Sequence, residues 1–190
     1  MQASVTLLFF GHFYDIMLGM MAHRTNKLRT LDQNYDLDRI DIGILRALQS
    51  DARLSVKEIA AQVGLAASTT HERIQRLRDS GVIRSSHVDV NPKALGVGLE
   101  ALFMIGLEKH KRGTVDRLMD YIVNVPEVRS AFLVTGRHDL VVHVAVRDTQ
   151  HLKDLALDQF TNRPGVARIE TSIIFDTRQR HELPVFRDIK

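Results

Sequence analysis

Two long apolar segments in the second half of the chain constrain its fold more than any other feature. Residues 99–107 (LEALFMIGL) and 140–146 (LVVHVAV) are apolar at every position except Glu100, Gly106 and His143. A strand with one face in water alternates apolar and polar residues, so these segments predict strands of a sheet that is buried on both faces. Leaving the second face exposed would be costly, at about 25 cal/mol per Å² of apolar area.

The order of the segments around these strands predicts a ferredoxin-like βαββαβ domain over residues 99–190. Apolar residues recur at helical spacing in 114–122 and 149–160, whereas 128–135 and 166–175 have the composition of strands. Four strands and two helices in this order form one antiparallel sheet. Because two helices cannot cover both faces, we expect a second copy of the sheet to cover the other face and to make the chain a homodimer.

Residues 36–90 have the pattern of three short helices. Apolar residues from Leu37 to Leu48 form one stripe, and a capping box, Ser55-Val-Lys-Glu58, begins the second helix. Gly64 follows that helix and Gly81 follows the third. The tight turn at Gly64 predicts a winged-type helix-turn-helix domain, with Val82–Val90 as a strand that leaves it. Asn91-Pro92-Lys93 then begins a linker over 91–98.

The outward face of the third helix carries the candidate DNA-binding residues. In a helix-turn-helix this face enters the major groove, where such polar side chains reach base edges and phosphates. The predicted DNA-binding residues are Ser68, Thr69, His71, Arg73, Gln75 and Arg76. A net charge of +3 permits a nucleic-acid partner without requiring one. A three-helix cluster with a solvated polar face therefore stays open as the alternative on periodicity alone.

Residues 1–35 are an N-terminal extension of uncertain status. The apolar run from Val5 to Phe10 is interrupted soon afterwards by His12 and Asp15, and it falls short of the roughly 20 apolar residues that a membrane span needs. It also lacks the basic start and the cleavage site of a secretory signal. Two interpretations stay open, namely an artefact of where translation is taken to start and a short interfacial helix. The basic residues that follow it form either an arm that contacts DNA or a solvated tail.

Several classes of chemistry are not expected from this sequence. The absence of cysteine excludes disulfides, thiolate zinc sites and cysteine nucleophiles, and it fits a reducing, cytoplasmic setting. The nine histidines show no metal-ligand spacing, and His138 and His143 are expected to face opposite sides. No phosphate-binding glycine loop or nucleophile elbow occurs. We therefore expect no metal, no cofactor and no catalytic residue.

Short motifs along most of the chain resemble the Lrp/AsnC family of leucine-responsive and asparagine-operon regulators. The resemblance covers Leu37–Pro184. It rests on Leu37-Asp-Arg-Ile-Asp41 with Ile44-Leu45, Asp51-x-Arg53-x-Ser55, Val63-Gly-Leu65, Arg73 with Leu77, Gly81-Val-Ile83, Asn91-Pro92 with Gly96, Val134-Thr-Gly136-x-x-Asp139 and Pro164-Gly165-Val166. None of these motifs is decisive alone, but together they are specific.

The resemblance implies a regulator that binds double-stranded DNA and responds to a small effector, usually an amino acid. It implies a homodimer that assembles into tetramers or octamers and acts in the cytoplasm at the nucleoid. The effector would sit between dimers, near the Gly136–Asp139 loop. The implied effector-binding residues are Thr135, Gly136, Arg137, His138 and Asp139.

Two departures from the family pattern bear on these expectations. Ala66 stands where the family usually has serine before the recognition helix, which would cost about 1 kcal/mol unless Ser68 or Thr69 caps the helix instead. Arg137 stands where the family often has an acid after the glycine. Since a guanidinium binds carboxylates, our hypothesis is that the effector is more acidic than usual or that none binds there.

Two other functions are weighed against an effector-modulated, sequence-specific regulator. The first is a DNA-organising protein of low specificity, which would show strong salt dependence and a small specificity ratio. The second is an enzyme resembling haem-biosynthesis decarboxylases, which share this build and would use His138 or His143 near a tetrapyrrole. The arginines on the outward face of the third helix favour DNA binding over the enzyme.

Overall fold

The computed structural model describes residues 36–108 and 112–186, which divide into two compact units. The helical unit comprises 36–88 and 179–186, and the sheet unit comprises 89–178. The expectations for residues 1–35 lie outside the described residues. None of the helices in the described ranges is long and apolar enough to span a membrane.

The C-terminal segment 179–186 groups with the helical unit, which differs from the expected second domain of 99–190. The backbone N–H of Leu183 donates to Oε1 of Gln49 at 2.9 Å. The carboxylate of Glu182 lies 3.6 Å from Nε of Arg46. Both contacts are with the first helix, and the sequence of the segment has no periodicity that predicts them.

Three helices form the helical unit, namely α1 (Arg39–Ser50), α2 (Val56–Val63) and α3 (Ala67–Asp79). Asp38 with Asp41, and Ser55 with Glu58, form reciprocal capping boxes at the starts of α1 and α2, and the second of these confirms the prediction. Gly64 ends α2 with a φ of +71°, a left-handed conformation that glycine adopts without strain. The helices enclose a common core. Its buried residues are Ile44, Ala47, Ile59, Ile74 and Leu77.

The strand predicted at Val82–Val90 does not form. Residues 84–90 are exposed, and no strand of the described residues pairs with them. An extended segment becomes a strand only when a neighbour accepts its backbone hydrogen bonds, and composition cannot supply that neighbour. The linker that follows contains a short 3₁₀ helix, Pro92–Leu95, which the Asn91 side chain caps.

The sheet unit contains β1 (Leu99–Leu107), α4 (Arg112–Ile122), β2 (Val128–Leu133), β3 (Leu140–Val146), α5 (Thr149–Leu155) and β4 (Val166–Ile174). A π-helical turn, Ala156–Thr161, continues α5. The strands lie in the order β2-β3-β1-β4 and every neighbouring pair is antiparallel. This arrangement confirms the predicted ferredoxin-like α+β architecture.

The two faces of the sheet differ in what covers them. Alternate residues of β1 and β3, beginning at Ala101 and Leu140, are buried in the same core as residues of both helices. The other residues of these strands point to the opposite face, which we call the open face. In the described chain no helix covers the open face, and its apolar side chains remain partly exposed. They are Leu102, Met104, Phe132, Val141 and Ala145.

Candidate functional site

The third helix presents one apolar and one polar face. Thr70, Ile74 and Leu77 are buried against the other two helices. Five of the predicted DNA-binding residues are exposed on the other side of the helix: Ser68, Thr69, His71, Gln75 and Arg76. Glu72 and Arg78 are exposed as well and were not among the predicted residues. This polar surface of α3 is called the reading face below.

Arg73 and Arg76 form ion pairs with residues at the start of α1, although about half of the Arg76 side chain is exposed. Nη1 of Arg73 lies 2.7 Å from Asp38 and 2.9 Å from Asp41. Nη2 of Arg76 lies 3.1 Å from each carboxylate oxygen of Asp41. The Asp41 side chain is only 1% exposed, so these guanidinium groups, rather than water, stabilise its negative charge. Both arginines are therefore parts of the fold, and Arg73 is mostly buried.

The pKa values of this network follow from its hydrogen bonds. The pKa of the Asp38 carboxyl lies below its usual range because the backbone N–H of Asp41 donates to it, and the Arg73 guanidinium adds to this against the opposing effect of burial. The pKa of Arg73 is raised, first by its hydrogen bond to Asp38 and then by that to Asp41. Asp38 and Arg73 are thus charged in the folded protein at neutral pH.

The start of α3 has no side-chain cap. Ala66 occupies the N-cap position in an extended conformation, and neither Ser68 nor Thr69 replaces the missing oxygen. The Thr70 hydroxyl instead donates to the carbonyl oxygen of Ala66 at 3.0 Å. The first backbone N–H groups of α3 therefore stay available to an external acceptor, and phosphate oxygens are acceptors of this kind.

Sequence reasoning missed the acidic partners of the reading face. Asp38 and Asp41 are three residues apart in α1, and Arg73 and Arg76 have the same spacing in α3. Residues at this spacing share one face of a helix, so two facing pairs of opposite charge were a usable signal.

The predicted effector loop is anchored by its last residue. Oδ2 of Asp139 accepts the backbone N–H of Leu107 at 2.7 Å, and the backbone N–H of Asp139 donates to Ile105 at 2.9 Å. Gly136 has a φ of +121°, which favours glycine. Thr135, Gly136 and Arg137 are exposed. Asp139 therefore holds the loop against β1 while the preceding residues face solvent.

Charged side chains from β4 meet this loop at the open face. Nη2 of Arg137 lies 3.3 Å from Oε1 of Glu170, and Nε2 of His138 lies 3.7 Å from the other oxygen. Nη2 of Arg168 donates to the carbonyl oxygen of Arg137. The mostly buried His138 ring leaves its Nδ1 without a hydrogen-bond partner. Arg137, His138, Arg168 and Glu170 are called the loop cluster below.

His143 lies away from the loop cluster. Its Nε2 is 2.6 Å from a carboxylate oxygen of Glu100 on the open face, where both side chains are about three-quarters buried. In residues 36–108 and 112–186 no group of three or more His, Asp and Glu side chains could hold a metal ion. The structure thus gives His143 a hydrogen-bond partner across β1 and β3.

The chain matches two known domain families over most of its described length. Residues 100–183 match the "Lrp/AsnC ligand binding domain", and residues 37–84 match "Winged helix-turn-helix DNA-binding". Two curated relatives are HTH-type transcriptional regulators. AldR of Mycolicibacterium smegmatis is 38% identical over 74% of this chain and 82% of its own. FL11 of Pyrococcus furiosus is 37% identical over 78% of this chain and 97% of its own.

Solved structures share the same build. A transcriptional regulator from Neisseria meningitidis, in complex with L-methionine, superposes with a TM-score of 0.74 at 28% identity, over 78% of this chain and 96% of its own. The AsnC protein of E. coli superposes with a TM-score of 0.68 at 26% identity, over 82% of this chain and 99% of its own.

Proposed function

The chain belongs to the Lrp/AsnC family of HTH-type transcriptional regulators, and from that membership we propose that its reading face contacts DNA bases while the loop cluster receives a small effector. The observation that supports the proposed DNA contact is that the polar side chains of α3 fall into two groups. Ser68, Thr69, His71 and Gln75 are exposed, whereas the mostly buried Arg73 and the half-exposed Arg76 form ion pairs with residues at the start of α1.

The two groups give the six predicted DNA-binding residues different roles. The exposed amide of Gln75 is the side chain of this face best suited to a bidentate contact with adenine, and the small hydroxyls of Ser68 and Thr69 allow the backbone to approach the groove. The uncapped N–H groups at the start of α3 suit a phosphate. Arg73 and Arg76 fix the angle of α3 through Asp41.

A selected DNA site tests this assignment. A preferred sequence is first isolated from a random duplex library with the intact protein, and affinities are then measured by fluorescence anisotropy at fixed salt. Replacing Gln75 by Ala should cost about 1–3 kcal/mol on the selected site and much less on unrelated DNA. Gln150→Ala, an exposed glutamine of the sheet unit, is the matched control. Equal loss in both variants would contradict the assignment, and no preference for any sequence would favour a DNA-organising protein.

We propose that the open face pairs with that of a second copy of the chain. Leu102 and Met104 of β1 and Val141 of β3 lie side by side on it, and Phe132 of β2 is 53% exposed. A face of this composition is stabilised when it is covered, and a twofold pair also presents two reading faces to a palindromic site. Light scattering after gel filtration should give a dimer or a multiple of it.

A substitution in the open face tests the pairing. Leu102→Glu should weaken the dimer and lower DNA affinity, because a carboxylate would be buried between two sheets. Leu157→Glu places the same charge at a partly exposed position of the turn that follows α5 and should leave the dimer intact. A wild-type chain that is monomeric and stably folded would contradict the proposal.

The effector proposal rests on the position and composition of the loop cluster. The Neisseria regulator was solved in complex with L-methionine, which supports a small effector for this chain as well. In this chain the exposed loop 135–137 and the charged side chains of β4 offer both a cation and an anion to a small ligand. The reported relatives are named transcriptional regulators, which favours this function over a tetrapyrrole enzyme. A DNA partner implies action at the nucleoid, in the cytoplasm.

A further inference from the structure

The exposed Glu72 lies at the centre of the reading face. The buried side chains of Thr70, Ile74 and Leu77 mark the direction in which α3 packs. At 3.6 residues per turn, Glu72 points within about 15° of the opposite direction, whereas Thr69 points about 75° from it. From this position we infer that Glu72 determines one base of the DNA site by accepting a hydrogen bond from the amino group of cytosine. The inference rests on the proposed contact between the reading face and DNA, and it specifies what that contact recognises.

The carboxylate of Glu72 has no cation beside it. Residues three and four positions away share its side of the helix, and they are Ser68, Thr69, Gln75 and Arg76. Arg76 is the cation among them, but its Nη2 lies 3.1 Å from each carboxylate oxygen of Asp41 in α1. In the part of the chain that the structure describes, the Glu72 side chain forms neither an ion pair nor a hydrogen bond. A carboxylate without a protein partner therefore faces the groove in the proposed complex.

The chemistry of a carboxylate selects cytosine among the four bases. An ionised carboxylate only accepts hydrogen bonds. In the major groove guanine and thymine present acceptors, and the amino group of adenine lies beside the acceptor N7, whereas cytosine presents its N4 amino group alone. A carboxylate in the groove therefore binds cytosine and is repelled by the acceptor atoms of the other bases.

The place of the cytosine follows from the separation of Glu72 and Gln75 along α3. Three residues of an α-helix rise about 4.5 Å along its axis, and neighbouring base pairs are about 3.4 Å apart. Glu72 therefore reads a base pair next to the pair that Gln75 contacts, or one step beyond it. In a twofold dimer the same two bases recur in both half-sites.

Selection from a random duplex library, with the intact protein and its variants, tests this specificity. The wild-type chain should prefer cytosine at one position of each half-site by about tenfold. Glu72→Gln keeps the shape of the side chain and adds a donor, so the preference at that position should change to adenine. Glu72→Ala should select no base there. Glu108→Gln, which removes the same charge at an exposed position of the sheet unit, should retain cytosine.

Affinity for an unrelated duplex separates base recognition from simple repulsion. Both Glu72 variants should bind this duplex several-fold more tightly at fixed salt, because the carboxylate repels the phosphates. A carboxylate that is only solvated would give the same gain on every sequence and no change of preferred base. The thermal midpoint of Glu72→Gln should equal that of the wild type, because the substitution removes no protein contact.

Three results would overturn the inference. The same preferred sequence in the wild type and both Glu72 variants would reduce Glu72 to a solvated acid and leave the proposed DNA contact standing. A wild-type preference for another base at the position that the variants change would contradict the cytosine contact in the same way. No preferred sequence in the wild type would overturn the inference together with the proposed sequence-specific contact.

Discussion

The carboxylate of Asp41 in α1 accepts a 3.1 Å hydrogen bond at each oxygen from Nη2 of Arg76 in α3. Arg73 approaches the same carboxylate at 2.9 Å. The first and third helices are therefore joined by a charge network around the buried Asp41 carboxylate as well as by their apolar core. Arg76, which the sequence predicts as a DNA-contacting residue, therefore also holds the third helix to the first.

Arg76→Gln should lower the free energy of unfolding by about 1–3 kcal/mol, because a buried carboxylate loses a charged donor. Arg78→Gln, at an exposed position two residues further along α3, should change the free energy of unfolding by less than about 0.5 kcal/mol. Urea unfolding followed by circular dichroism measures both. In an Asp41→Asn background the cost of Arg76→Gln should shrink, and a coupling of about 0.5–3 kcal/mol is expected. Equal costs for Arg76 and Arg78 would contradict the network.

Ala66→Ser should stabilise the protein. Ala66 already has the extended backbone of an N-cap but offers no oxygen to the N–H groups of α3, and serine there is worth about 0.5–2 kcal/mol. Ala61→Ser in α2 makes the same change at an exposed position inside a helix, where it should cost up to about 0.5 kcal/mol. Thermal unfolding measures the two shifts, and shifts of the same sign would count against the cap.

The protein should lose stability in acid partly through Asp38. A carboxyl whose pKa is lower in the folded than in the unfolded chain stabilises the fold above its unfolded value, and this contribution disappears as the pH falls through the folded pKa. The loss through Asp38 therefore begins near pH 4 and continues below it. Asp38→Asn keeps an oxygen at the cap but cannot titrate, so its urea midpoint should fall less steeply with pH. Identical slopes for both proteins would refute a contribution from Asp38.

Gly98→Ala should destabilise the sheet unit. A Cβ at position 98 would stand 1.9 Å from the backbone oxygen of Arg147, so the start of β1 would have to separate from β3. A clash with backbone costs about 1–3 kcal/mol or more. Gly113→Ala in α4 meets only an ordinary contact at 3.6 Å and should be neutral or stabilising. Chemical denaturation of both variants tests this prediction. Equal stability of the two variants would show that β1 can shift with no cost in the free energy of unfolding.

Local patterns in the sequence predicted the elements of both units well. The capping box at Ser55, the glycine after α2 and the apolar segment of β1 each act over a few residues, so their signals survive without knowledge of the fold. The partners of Arg73 and Arg76 lie more than thirty residues away, so only a comparison of the charge spacing in the two helices, and not the local pattern of either one, could have paired them. The failed strand at Val82–Val90 has the same cause, since a strand depends on a distant neighbour.

The loop cluster shows the same division between local and distant information. Gly136 and Asp139 were recognisable as parts of one short motif, but the group that the Asp139 carboxylate binds, the backbone N–H of Leu107, lies 32 residues away in the sequence. The positions of Arg168 and Glu170 beside this loop were not predictable, because the alternation along a strand predicts which face a residue lies on but not which loop it contacts. Their register against Gly106 and Met104 supplies the missing information.

The return of residues 179–186 to α1 makes the helical unit discontinuous along the chain. During synthesis the three helices emerge before the whole sheet unit, yet the backbone N–H that binds Gln49 is made only after β4. When the three helices have left the ribosome, the segment that completes the helical unit is therefore still to be released. Any fragment cut at the linker would leave this surface of α1 bare, so DNA affinities measured on isolated helices would describe a different surface from that of the finished protein.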